Sequence, residues 1–170
     1  MAIRKGIFPR AWACMIGLFF VASAMAKPNF SGTWIRDNGD SDAWTAVVIP
    51  ILDQKKDAPD KNFTLRINHR DKHLQVAVKQ DNKKPVVADY NLGRGWHGSV
   101  AGRLNYGGMR YRAQWKNDNL VINKNAGYRG EFGLTGGNME QRWILSPGGN
   151  VLTIITTIRQ LTTKEVFKRK

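Results

Sequence analysis

Phe63-Thr64-Leu65-Arg66-Ile67-Asn68-His69-Arg70-Asp71-Lys72-His73-Leu74-Gln75-Val76-Ala77-Val78-Lys79-Gln80 is the stretch whose reading decides the fold. Phe63, Leu65, Ile67 and His69 alternate with Thr64, Arg66, Asn68 and Arg70. Leu74, Val76 and Val78 alternate with Gln75, Ala77 and Lys79. A period of two gives each segment one apolar and one polar face, as a strand with one side in water requires. The turn at Arg70-Asp71-Lys72 is too short for a crossover helix, so the two strands form an antiparallel hairpin.

The same pattern runs outward along the chain. Met109, Tyr111, Ala113 and Trp115 alternate with Arg110, Arg112, Gln114 and Lys116, and polar turns follow at 116–119 and 146–150. Strands are expected near 30–36, 63–70, 73–80, 86–92, 98–105, 109–116, 119–125, 138–145, 150–158 and 163–169. Sequential hairpins with single apolar faces must bury those faces. Closing into an up-and-down antiparallel barrel of about 8–10 strands does so and removes exposed edges. A two-sheet sandwich satisfies the same periodicity. Residues 37–62 form a long connection, in which Ser41 could cap a short helix ended by Pro50, although the β-branched run there argues equally for a strand. The segments 93–108 and 127–137 are glycine-rich and read as loops or irregular strand ends.

The N-terminus reads as an export signal. Arg4, Lys5 and Arg10 precede an uncharged run from Ala11 to Ala22, and Ser23-Ala24-Met25-Ala26 places small residues before Lys27. Cleavage is expected between Ala26 and Lys27, with an uncleaved anchor as the rival. The apolar stretch is short of the roughly 20 residues a spanning helix needs. An exported protein, periplasmic or secreted, is therefore expected, with 27–170 forming one β-barrel domain. The single cysteine, Cys14, lies inside the signal, so the remainder has no disulfide, thiolate metal site or cysteine nucleophile. Three of the 27 basic residues precede Lys27, which leaves 24 against 13 acidic residues, or +11. In an exported protein that charge points to anionic lipid or cell-wall polymer rather than nucleic acid.

The opening strand Asn29-Phe30-Ser31-Gly32-Thr33-Trp34 resembles that of the calycin superfamily of lipocalins, fatty-acid-binding proteins and avidins. Leu65–Asp71, Trp115–Ile122 and Arg142–Pro147 running into Leu152-Thr153 extend the likeness to small exported bacterial proteins with lipocalin-like barrels and no assigned role. The resemblance implies that Gly32 and Trp34 close one barrel end, crossed by a basic residue of the last strand, Lys168 or Arg169. The tail Val166-Phe167-Lys168-Arg169 lacks the Arg-any-Tyr pattern that grips a fatty-acid carboxylate. Arg36 stands where avidins use an asparagine for biotin, so biotin binding is not expected.

Other patterns carry less. Gly93-Arg94-Gly95-Trp96-His97-Gly98 fits a nucleotide-binding glycine pattern, but no helix follows it. Val76–Lys79 and His69–Asp71 resemble kinase pieces in the wrong order. His69, His73 and His97 could form a zinc site, yet each has a plain structural reading. Asp37, Asp40 and Asp42 crowd one loop without EF-hand spacing, so turn chemistry accounts for them better than calcium. No cofactor, metal or catalysis is expected.

Tyr90, Tyr111, Trp115, Gln141 and Trp143 fall on inward parities, and aromatics with an occasional polar group line small-molecule cavities. A filled core fits the same residues. Arg110, Arg112 and Lys116 form a basic stripe on the opposite face, able to contact anions. The expectation is a monomeric, non-catalytic barrel binding a small apolar or amphipathic ligand. The alternative is a basic module binding anionic envelope lipid or polymer through its surface.

Overall fold

The computed structural model describes residues 27–42, 62–82, 84–98, 110–126 and 137–170. Among the described residues nine strands are formed: β1 Gly32–Arg36, β2 Phe63–Arg70, β3 His73–Gln80, β4 Val86–Asn91, β5 Arg110–Lys116, β6 Asn119–Ala126, β7 Gly137–Leu145, β8 Val151–Ile158 and β9 Leu161–Arg169. They make one sheet in the order β4-β3-β2-β1-β9-β8-β7-β6-β5, every ladder antiparallel. Because β1 pairs with both β2 and β9, the meander curls back on itself. This single sheet decides for the barrel over the sandwich.

Three hairpins turn on two residues: Asp71-Lys72, Asn117-Asp118 and Arg159-Gln160. Asp71, Asn117 and Arg159 have positive φ values of 28°, 55° and 56°. Asp and Asn tolerate that conformation because their short polar side chains bond locally, so the first two turns suit their sequence.

Among the described residues, the ring closes between β4 and β5 through isolated bridges that form a seam. Leu92 bridges Ala113 in parallel and His97 bridges Tyr111 antiparallel. Gly93 N–H donates to the Ala113 carbonyl at 2.8 Å, and His97 and Tyr111 exchange bonds of 2.8 and 3.0 Å. His97 stands one residue before the strand expected at 98–105, most of which lies outside the described residues. The same is true of Ala26, of Met109 and of the expected helix or strand within 43–50; Lys27 is described, and its Nζ donates to the Asn117 carbonyl at 3.0 Å.

Alternation drives the inward packing. Leu65, Leu74, Val76, Val78, Ala88, Leu120, Ile122, Leu152 and Ile154 are buried on the inner faces of their strands. Beyond β1 the chain continues along β9: Asp37 N–H donates to the Val166 carbonyl and Asp42 N–H to the Lys164 carbonyl, both at 2.8 Å. Ser41 Oγ accepts from the Val166 N–H at 2.9 Å. This crossing buries outward-facing Val166.

Candidate functional site

The start of β1 builds an aromatic plug. Phe30 and Trp34 are fully buried, and the Trp34 indole N–H donates to the Phe30 carbonyl at 2.9 Å. Phe30 stacks on Trp115 with ring centroids 5.8 Å apart and planes within 8°. It meets Trp143 edge-on at 5.9 Å. Burying an aromatic side chain removes roughly 150–250 Å² from water, about 4–6 kcal/mol at ~25 cal/mol per Å². Arg169 reaches across this end, its guanidinium carbon 4.3 Å from the Trp34 ring centroid. Its Nη1 donates to the Ser31 carbonyl at 2.6 Å and its Nε to the Gly149 carbonyl at 2.8 Å.

Beyond the plug, the inward positions change character. Arg36 of β1, Gln80 of β3, Lys124 of β6, Gln141 of β7, Thr156 of β8, and Thr163 and Glu165 of β9 are all buried. Register explains their placement: Thr163 faces Thr156, Thr156 faces Gln141, and Gln80 faces Phe63. Arg36 Nε lies 3.9 Å from Glu165 Oε1. The same guanidinium donates to Asn38 Oδ1 at 2.5 Å and to the Asp42 carbonyl at 2.8 Å, so the 37–42 crossing is tied to the interior. Gln141 Nε2 donates to Thr156 Oγ1 at 3.4 Å. Lys124 Nζ lies 5.3 Å from the Tyr90 ring centroid.

Several of these polar atoms are unsatisfied among the described residues: Arg36 Nε, Gln80 Oε1, Gln141 Oε1, Thr163 Oγ1 and Glu165 Oε2. A buried polar group without a partner costs about 1–3 kcal/mol, so a barrel that only needed filling would do better with hydrocarbon. Burial pushes the Glu165 carboxyl up to about 8, opposed by Arg36 and reinforced by Asp42. Burial pulls Lys124 down to about 7. Burial, with Tyr111 beside it, raises the Tyr90 hydroxyl far above its usual range. Burial therefore favours the neutral carboxyl and the neutral amine over their charged forms. Both forms suit hydrogen bonding to a polar ligand group.

The residues expected from sequence fall at two levels. Trp115, half-buried, and Trp143, fully buried, belong to the plug. Tyr90 and Tyr111 meet edge-on at 5.3 Å across the β4–β5 seam, and the Tyr111 hydroxyl accepts from the Asn91 N–H at 2.9 Å. Gln141 sits among the polar set. Arg110 and Lys116 are exposed on the outer face of β5, and Arg112 is partly buried with its guanidinium 5.4 Å from the Trp96 ring centroid. The histidines diverge. His69 lies against Phe30, with burial lowering its pKa, whereas His73 faces outward 3.6 Å from Asp89, and His97 packs on Tyr111. Asp37 accepts from the Gly39 and Asp40 N–H groups and pairs with Lys168, while Asp42 accepts from the Lys164 N–H.

Arg36, Gln80, Lys124, Thr156, Thr163 and Glu165 escaped the sequence reading as interior residues. The signal was there in parity: Lys124 continues Leu120 and Ile122, Arg36 continues Trp34, and Glu165 precedes Phe167 by two.

No protein-family model and no curated relative matches the sequence. Solved structures do. The chain is similar to secretory abundant heat soluble protein 4 from Ramazzottius varieornatus, at 17% identity over 85% of this chain and 96% of that one, with a TM-score of 0.61. It is similar to lipid binding protein 8 from Caenorhabditis elegans, at 13% identity over 83% and 95%, TM-score 0.60. It is also similar to a structure described as the REP1-NXSQ fatty acid transporter, at 12% identity over 82% and 95%, TM-score 0.52. At these identities the likeness is one of fold, and the fold is a lipocalin-like barrel.

Proposed function

We propose that the protein binds a small amphipathic molecule inside its barrel and performs no catalysis. The observation that carries this reading is the set of inward polar side chains, drawn from six strands and retained although several of their atoms lack partners. An apolar ligand body would lie along the Leu, Ile and Val walls. Its polar group would face Gln141, Thr156, Lys124 and the Arg36–Glu165 pair. Two neighbours of the same fold are described as a lipid binding protein and a fatty acid transporter, which supports the ligand class. The protein acts as a monomer outside the cytoplasm, after its signal is cut between Ala26 and Lys27.

Native mass spectrometry of the protein, as processed by an exporting host and then incubated with a lipid extract, tests this. The expected result is a stoichiometric adduct that survives high salt and is released by organic solvent. A clean unliganded mass under those conditions would point instead to a filled barrel.

A further inference from the structure

Trp96 is the one exposed tryptophan among the described residues, 48% accessible, on a segment where every residue from Gly93 to Trp96 is exposed. Trp34 and Trp143 are fully buried, and Trp115 is half-buried against Phe30. Gly95, at φ 122°, supplies a backbone conformation that other residues rarely adopt, immediately before the exposed indole. The surroundings of Trp96 are basic. Arg112 stacks on its ring, Arg110 and Lys116 lie on the same outward parity of β5, and Arg94 is two residues upstream. Beside them lies an open groove of about 260 Å³, lined by Asp71, Lys72, Leu92, Gly93, Arg94, Gln114 and Trp115.

We propose that this face, made by the outer side of β5 and the segment 92–98, docks on an anionic lipid surface, with Trp96 seated at headgroup level. An amphipathic indole favours the boundary between hydrocarbon and water, and basic residues near an anionic bilayer each strengthen association. The two features are needed together: an exposed indole alone gives weak, charge-blind binding, and a basic stripe alone binds any polyanion. Their contact through Arg112 puts them on one surface. The groove beside them is large enough for one headgroup or the end of one acyl chain. The proposal stands apart from interior binding, because none of the polar side chains assigned to that role takes part.

The test is co-sedimentation of the protein, as the expressing cell processes it, with phosphatidylcholine vesicles that either lack or contain phosphatidylglycerol. Association is expected only with the anionic vesicles and is expected to be lost at high salt. Each neutralised basic residue is worth about fivefold in partitioning, so Arg110→Gln with Arg112→Gln should lower it roughly twentyfold or more. Arg66→Gln with Lys164→Gln, the same charge change on β2 and β9, should alter it far less. Brominated lipid should quench tryptophan emission in the parent protein and lose most of that quenching in Trp96→Phe. Equal association with neutral vesicles, or equal losses from the two double variants, overturns the proposal. So does salt-sensitive association without quenching at Trp96, which would assign the face to a soluble anionic polymer instead.

Discussion

The guanidinium of Arg169 occupies the space that a side chain at Gly32 would need. A Cβ built on Gly32 would stand 2.7 Å from Arg169 Nη1, and Gly32 has a φ of 139°. Two constraints therefore select glycine there: the backbone conformation and the arginine lying over Trp34.

Gly32→Ala is expected to destabilise the barrel by about 1–3 kcal/mol from backbone strain, and further by displacing Arg169. Arg169→Leu should cost about 1–2 kcal/mol through its lost contact with Trp34 and its bonds to the Ser31 and Gly149 carbonyls. Urea unfolding of both single variants and the double variant checks the coupling. In the Arg169→Leu background Gly32→Ala should cost less, because the clash is gone; strictly additive losses would contradict the account.

Phe30→Ala should cost about 3–5 kcal/mol, since Phe30 sits between Trp115 and Trp143 and is fully buried. Trp115→Ala should cost less, because its ring is only partly buried. The ranking is read from unfolding midpoints at unchanged denaturant dependence.

Glu165 and Lys124 imprint opposite pH dependences on stability. The folded carboxyl has its pKa raised from 4.5 to about 8, so burial costs stability progressively as pH rises from 4.5 to 8. The folded amine has its pKa lowered from 10.5 to about 7, so stability is regained as pH rises from 7 to 10.5. Relative to the parent, Glu165→Gln should gain stability across pH 4.5–8 at a slope of up to ~1 kcal/mol per unit and change little beyond it. Using the difference between parent and variant cancels His69, whose lowered pKa acts in the opposite sense at acid pH. A flat difference across that range would mean that the carboxyl is hydrated or ionised in the folded protein.

Interior binding predicts a chemical asymmetry. Gln141→Leu and Lys124→Met should each weaken binding of cis-parinaric acid by roughly fivefold to tenfold, the worth of about 1–1.5 kcal/mol of hydrogen bonding. Both should leave its methyl ester within about twofold, because the ester keeps the hydrocarbon body and lacks the ionisable head. Fluorescence titration measures both. Equal losses for acid and ester would place the polar group elsewhere.

Much of the architecture was legible because one-sided burial writes a period of two into the chain. The hairpins β2–β3, β5–β6 and β7–β8 were read almost to the residue, and β4 ends one residue short of expectation. Closure into a barrel is expected from the need to bury the apolar faces and hide the edges, and the family likeness puts Lys168 or Arg169 across Trp34; alternation by itself tells which face is inward and nothing about which strand β1 meets. That information lies in the pairing of Trp34 with Arg169 and of Arg36 with Phe167, between residues more than a hundred positions apart. Of the polar interior only Gln141 is legible, and the rest is hidden for a different reason. Arg36, Lys124 and Glu165 have the correct parity, but their charge argues for water, and only the neighbouring strands decide otherwise.

The sequence of the polypeptide and the circumference of the sheet are cut at different places. β1 and β9 lie edge to edge inside a continuous ladder, reinforced where Lys170 N–H reaches the Thr33 carbonyl at 2.9 Å. Among the described residues the ring is joined least between β4 and β5, midway along the chain. Joining Lys170 to Lys27 by a linker and reopening the chain at the Arg159-Gln160 turn is therefore expected to give a circular permutant with the same barrel and the same seam. The point at which the ring gives way belongs to the circle, not to the ends of the thread.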